Sequence, residues 1–292
     1  MRKILIALAA LGALAATAAF ASPSSHASPA AVAGCAPDSL NLVSDGALTI
    51  GTDNPAYPPW FGGGSPKGSS WKINDPTTGK GFESAVAYAV AKQLGFAKGD
   101  VKWVYTPFNK AFAPGPKSFD FDINQISFTP QRAKVVTFST SYYDVNQAIV
   151  VVKGTKIASV RSVKGLKSYK LGAQLGTTSY QYIAAKIRPT QKPSVFPKND
   201  AAVQALKNKQ IDGLVVDLPT AFYVTAVQVP NGKILGQFPS GRVDEHFGMV
   251  FQKGNSLARC VDKALAVLKR NGSLAKIQQQ WLAKATGAPV LK

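Results

Sequence analysis

From Leu48 onward, short apolar runs alternate with helical patterns, and that rhythm restricts the fold more than any other feature of the chain. Leu48 to Thr52, Val101 to Tyr105, Gln147 to Val152, Lys170 to Gln174, Ile211 to Val216 and Phe247 to Phe251 read as strands. Phe119 to Ile126 leads into another, and Val135 to Phe138 is extended. Gly81 to Gly95 reads as a helix, with Phe82, Ala85, Val86, Ala89, Val90 and Leu94 on one face and Gly95 as its stop. Thr129 caps a short helix with Pro130 at its first position. Gly176-Thr177-Thr178 opens another helix, Asn199 or Asp200 caps the next, and Leu218-Pro219 begins a further one. Ser256 to Arg270 turns Leu257, Val261, Ala264, Leu265 and Leu268 inward and closes at Asn271-Gly272; Ser273 then caps a last helix through Ile277 and Trp281. This β–α alternation predicts α/β layers with mainly parallel sheets. The 292 residues suit two lobes better than one core.

In open sheets of this class, ligands sit at the carboxyl ends of strands. That rule selects Asp53 and Tyr57, Ser127, the run Gly176 to Thr178, and Asp217, all just past expected strands. Arg132 lies in the first turn of the helix capped by Thr129. Each residue also has a plain structural reading. Arg132 suits a surface position, Asp217 before Leu218-Pro219 suits an N-cap, and Tyr57, Trp60 and Phe61 suit a core.

The N-terminus reads as an export signal over residues 1–21. Arg2 and Lys3 precede an apolar, Ala-rich stretch, and Ala19-Phe20-Ala21 offers a cleavage site. Residues 22–35 form a Ser/Pro-rich spacer. The expected location is therefore exported, periplasmic or at the cell surface. Losing the signal lowers the net charge from +19 to +17. Lysines are scattered singly without a run, so the charge predicts a solvated basic surface and not nucleic-acid binding.

The chain has two cysteines, Cys35 and Cys260. In an exported protein they can form a disulfide between the mature N-terminus and a C-terminal helix. Alternatively, Val32-Ala33-Gly34-Cys35 resembles a lipobox that would lipid-anchor Cys35. The disulfide is preferred, because the polar spacer separates Cys35 from the apolar stretch.

Catalytic signatures are missing: two His with His26 in the spacer, no metal-ligand cluster, no P-loop, no Gly-x-Ser-x-Gly elbow. No metal or cofactor is expected. A zwitterion, by contrast, is well served. Its carboxylate calls for an arginine and a helix N-terminus, and its ammonium for a carboxylate. Arg132, the Thr177-Thr178 helix start and Asp217 provide both.

Taken in order, these stretches resemble the extracellular amino-acid-binding proteins of ABC importers, solute-binding protein family 3. The resemblance rests on Gly51-Thr52-Asp53 with Tyr57-Pro58-Pro59-Trp60, Gly81-Phe82-Glu83, Ser127-Phe128-Thr129 with Arg132, Phe138-Ser139 with Tyr142-Tyr143, Gly176-Thr177-Thr178, Asp217, and Asn271-Gly272-Ser273-Leu274 with Trp281-Leu282. It implies a periplasmic-binding-protein-like type II fold: two discontinuous α/β lobes joined by two hinge strands, closing on the ligand. Lobe 1 would be residues 36–147 plus 247–292, and lobe 2 residues 148–246. It further implies that Arg132 and Ser127 hold the α-carboxylate, helped by Thr177 or Thr178, and that Asp217 holds the ammonium. Tyr57 would pack on the ligand and Asp53 lie near its side chain. Asn124 and Gln125 stand where the family often has small pocket residues. The implied partners are a free amino acid and the permease subunits, with the protein a monomer. With Asp53, Asn124 and Gln125 the side-chain pocket is polar, which favours a polar or cationic side chain. The Pro-containing segment Ala111 to Pro116 and the long loop Gly62 to Lys80 depart from the family pattern near that pocket. Two rivals share the fold: a cyclohexadienyl or arogenate dehydratase, needing a free acid such as Asp53 or Glu83, and a ligand sensor.

Overall fold

A computed structural model describes residues 31–239, 245–285 and 287–292. The expected signal peptide and residues 22–30 of the spacer lie outside the described residues. Along the chain come β1 (Leu48–Thr52), α1 (Phe82–Gln93), β2 (Val101–Tyr105), α2 (Phe108–Ala111), β3 (Phe121–Asp122), α3 (Pro130–Val135) and β4 (Val136–Phe138). After β5 (Tyr143–Asp144) follow β6 (Gln147–Val152), β7 (Leu171–Gln174), α4 (Thr178–Tyr182), β8 (Ser194–Phe196), α5 (Asn199–Lys207), β9 (Gly213–Asp217), α6 (Leu218–Tyr223) and β10 (Gly232–Gln237). The chain returns through β11 (His246–Phe247) to β12 (Val250–Gln252), α7 (Leu257–Arg270) and α8 (Ser273–Leu282).

Two five-stranded sheets result, in the orders β2-β1-β3-β12-β4 and β10-β6-β9-β7-β8. Between β4 and β12 the chain crosses to the second sheet and back, and these two crossing segments pair antiparallel as β5 and β11. Each sheet is mixed rather than mainly parallel. The strand entering from the hinge, β12 in the first and β6 in the second, runs antiparallel to its neighbours. The expected strand Phe247 to Phe251 is therefore two strands, one in the hinge and one in the first sheet. Of Phe119 to Ile126, only Phe121–Asp122 pairs as a strand, and Asn124 and Gln125 beyond it line the cleft.

The second lobe shows why a continuous apolar run can only be a central strand. In β6, Ala148, Val150 and Val152 pack on one side with Val203, Leu206 and Ala221. Ile149 and Val151 pack on the other with Ile183, Ile187 and Leu235. Side chains alternate across a strand, so both faces must be apolar when both are covered. In the first lobe α1 buries Phe82, Val86, Ala87, Val90 and Ala91. Ala85 and Ala89, expected inward, are only half-buried, so the stripe is rotated from its expected position. Gly81, with φ of +90°, lets α1 start against the backbone of Phe61; a Cβ there would lie 2.4 Å from Phe61 Cα. The cap of α5 is Lys198, with Asn199 already inside the helix.

The C-terminal residues, expected in the first lobe, pack on the second. Val290 pairs parallel with Gln237, the Gln237 N–H donates to Pro289 O at 2.8 Å, and Leu291 is buried in the second lobe's core. A hydrophobic residue beside an open strand edge gains both burial and ladder bonds there. Gln147, expected to end the first lobe, opens β6 and pairs with Asp217.

Cys35 and Cys260 are disulfide-bonded, tying the N-terminal segment to α7 across 225 residues of chain. That bond uses the sulfur that a lipid anchor at Cys35 would need. Replacing both cysteines by serine is expected to lower stability by about 4 kcal/mol, read as a reduced denaturation midpoint with an unchanged native fold.

Candidate functional site

All nine residues singled out by sequence, Asp53, Tyr57, Asn124, Gln125, Ser127, Arg132, Thr177, Thr178 and Asp217, line one cleft between the two sheets. It encloses about 1030 Å³, counting space open to solvent.

Arg132 is oriented locally. Thr129 Oγ1 accepts its backbone N–H at 3.1 Å and starts α3, so the side chain leaves from the first turn. The guanidinium then reaches across the cleft. Nη1 donates to Ser127 O at 2.6 Å in the first lobe, and Nη2 donates to Gly176 O at 2.8 Å in the second. The Phe112 ring lies beneath it, 4.1 Å from centroid to Cζ. Arg132 is 7% exposed, so the surface reading does not hold. Burial pulls its pKa down to about 10, opposed by the carboxylates of Glu245 and Asp217; it stays cationic at neutral pH.

The second lobe faces it with the start of α4. Thr177 Oγ1 accepts the Tyr180 N–H at 3.1 Å as N-cap, and Thr178 Oγ1 lies 3.3 Å from Ser127 Oγ. Gly176 has φ of +81°, and a Cβ there would meet Asn109 Oδ1 at 2.3 Å. Only glycine allows so close an approach of the lobes. Tyr57 Oη donates to Asp200, and Trp60 Nε1 to Thr220 Oγ1 at 3.1 Å, both across the cleft. The lobes are closed on each other.

Asp217 sits at the N-cap position of α6 but makes no side-chain cap. Its Oδ1 instead accepts from Gln147 Nε2 at 2.5 Å. Burial pushes its pKa up to about 8, and the nearby Glu245 carboxylate adds to the shift. At the other end of the cleft stand Asp53, raised by burial, and Asn124, whose buried Nδ2 has no hydrogen-bond partner. Gln125 takes a left-handed backbone, φ of 49°, and donates from both its N–H and its Nε2 to Glu83. Glu83, in the first turn of α1, also accepts from Tyr142 Oη at 2.5 Å, and burial pushes its pKa up to about 7. Trp60 and Phe61 are core residues, as their plain reading had it, while Tyr57 is half-exposed in the cleft.

Several polar residues of this region escaped the sequence reading, Gln147, Asp200 and Glu245 among them. Gln147 was visible only as the first residue of a strand, Asp200 only as a candidate helix cap, and Glu245 stands before an apolar run with no motif around it.

Over residues 48–284 the chain matches the bacterial extracellular solute-binding proteins, family 3. It belongs to that family. It is 30% identical over 217 residues to the ABC transporter glutamine-binding protein GlnH of Bacillus subtilis, covering 72% of this chain and 76% of that protein. It is 26% identical over 256 residues to the L-cystine-binding protein TcyJ of Escherichia coli, 87% and 88% of the two chains. Among solved structures, an ancestral arginine-binding protein bound to arginine aligns with a TM-score of 0.65 at 33% identity, covering 81% of this chain and 98% of that one. The architecture is thus that of the type II binding proteins, and the relatives are solute-binding proteins of ABC transporters rather than enzymes.

The raised pKa of Asp217 carries a sign. A carboxyl whose pKa rises from 3.8 to about 8 on folding favours the fold below pH 4, and this contribution is lost as pH climbs through 8. Ligand-free Asp217→Asn, which keeps Oδ1 as acceptor, should therefore match wild type at pH 4. It should exceed wild type by several kcal/mol above pH 8, measured as thermal midpoints across that range.

Proposed function

We propose that the protein captures a free amino acid outside the cytoplasmic membrane, by closure of the two lobes, and hands it to the permease of an ABC importer. The observation that carries this reading is the polarity of the cleft. A buried guanidinium with Ser127 and the α4 start stands at one side, and the part-buried Asp217 at the other. This complements an ammonium–carboxylate head. In this assignment Arg132, Ser127 and Thr177 or Thr178 hold the carboxylate, and Asp217 holds the ammonium. The ammonium would also remove the burial cost of ionising Asp217, so binding and ionisation reinforce each other.

Asp53 and Asp200 both line the cleft, with Glu83 and Asp122 buried behind them. A side chain entering there meets acceptors, with Lys198 as a counter-charge near Asp53. This supports a polar or cationic side chain, in line with relatives that bear the names of glutamine- and arginine-binding proteins. Of the two acids the enzyme reading would need, Glu83 is held by two donors from Gln125 and one from Tyr142, and Asp53 accepts the Asn54 N–H at 2.7 Å. The protein acts as a monomer in this scheme, and the importer reads the closed shape.

A thermal-shift screen against free amino acids should raise the midpoint most with arginine, lysine or glutamine, by several degrees at a hundredfold excess over Kd. No shift with any amino acid defeats the proposal. Arg132→Ala should lower affinity at least 100-fold by calorimetry. It should also cost about 1–3 kcal/mol of stability, because the carbonyls of Ser127 and Gly176 lose their donor.

A further inference from the structure

Glu245 is the last residue before β11, and its backbone is part of the hinge: the Val145 N–H donates to Glu245 O at 2.8 Å. Its side chain turns back into the site. Ser127 Oγ donates to Glu245 Oε1 at 2.5 Å, and Gln147 Nε2 lies 3.2 Å from both carboxylate oxygens. Ser127 belongs to the first lobe and Gln147 opens the second. The same Gln147 amide donates to Asp217, and its Oε1 accepts from Ser179 Oγ at 2.5 Å. A carboxylate of the protein itself therefore bridges the two lobes.

It does so on Ser127, the hydroxyl assigned above to the ligand's carboxylate, and with Arg132 near enough to feel its charge. A single hydroxyl hydrogen serves one acceptor at a time. Two carboxylates meeting at that hydroxyl also repel each other. Ligand and Glu245 cannot both hold Ser127. Being only half-buried, the Glu245 side chain has solvent to move into.

We propose that Glu245 is a built-in competitor for the bound amino acid. Its carboxylate holds Ser127 and the second lobe together in the empty cleft and is displaced when the ligand's carboxylate takes Ser127. The inference rests on the amino-acid reading for the identity of what displaces it. The clamp on the empty cleft does not depend on that reading. Its effect on affinity follows from mass action: the fraction of protein with Ser127 occupied by Glu245 is unavailable, and apparent affinity falls by that factor.

The test compares the mature wild-type protein with Glu245→Ala and Glu245→Gln. Calorimetry is run with L-arginine and L-glutamine, and small-angle X-ray scattering on the ligand-free and saturated proteins. Glu245→Ala should bind about tenfold more tightly, with a smaller gain for Glu245→Gln, which loses the charge but keeps an acceptor. Ligand-free Glu245→Ala should have a larger radius of gyration than ligand-free wild type, and the saturated proteins should coincide. Weaker binding by Glu245→Ala overturns the proposal and makes Glu245 a partner of the ammonium. Unchanged affinity together with unchanged dimensions also overturns it. If no protein binds any amino acid, the function proposed above fails, and the scattering of the ligand-free pair still decides whether Glu245 holds the empty cleft.

Discussion

Arg132 carries a positive charge into a place where burial makes charge costly, and the closed arrangement of the protein follows from how that cost is met. Two carbonyl oxygens, one from each lobe, receive its N–H groups, and an aromatic ring lies under its plane. The nearby Glu245 carboxylate works against that cost. Separating the lobes would remove Gly176 O and leave a donor to be satisfied by water. The guanidinium is therefore a contact that is complete only when the cleft is shut.

Much of this site was legible because α/β chemistry places ligand groups at strand ends. Asp53 after β1, Ser127 after β3, Thr177 after β7 and Asp217 ending β9 are all found by locating apolar runs and reading one to five residues on. Arg132 was legible through Thr129-Pro130, a cap and a proline that fix where a helix begins. What stayed hidden depends on long-range pairing. Ser194–Phe196 is an edge strand with Val195 exposed, so it lacks the apolar run that marks a central strand. Gly232–Gln237 is interrupted by an irregularity between Ile234 and Gly236 that breaks its alternation. Glu245 gains its place from Ser127 and Gln147, about a hundred residues away in sequence, and no local pattern announces that.

The far end of the cleft is built on acids that do not ionise readily. Asp122 is fully buried, with neither oxygen hydrogen-bonded, and its pKa is raised well above the ordinary carboxyl range by burial and by Glu83 and Asp53. Its position in β3 is followed within three residues by Asn124 and Gln125, which line the cleft. Polar groups thus continue from the pocket wall into the lobe, and Gln125 spends its amide on Glu83 rather than on the cleft. The shape and polarity of the side-chain pocket come from this packing as much as from the residues that face the ligand.

The C-terminal tail changes the mechanics of closure. Beside the ends of β6 and β10, where the chain passes between lobes, residues 288–291 lay down a further strand-like segment: Gln237 bonds to Pro289 and Leu291 through its backbone and to Ala288 through its side chain. The tail thereby joins the end of α8, packed in the first core, to the edge of the second sheet, so a third length of backbone links the lobes and must be carried along by any movement between them.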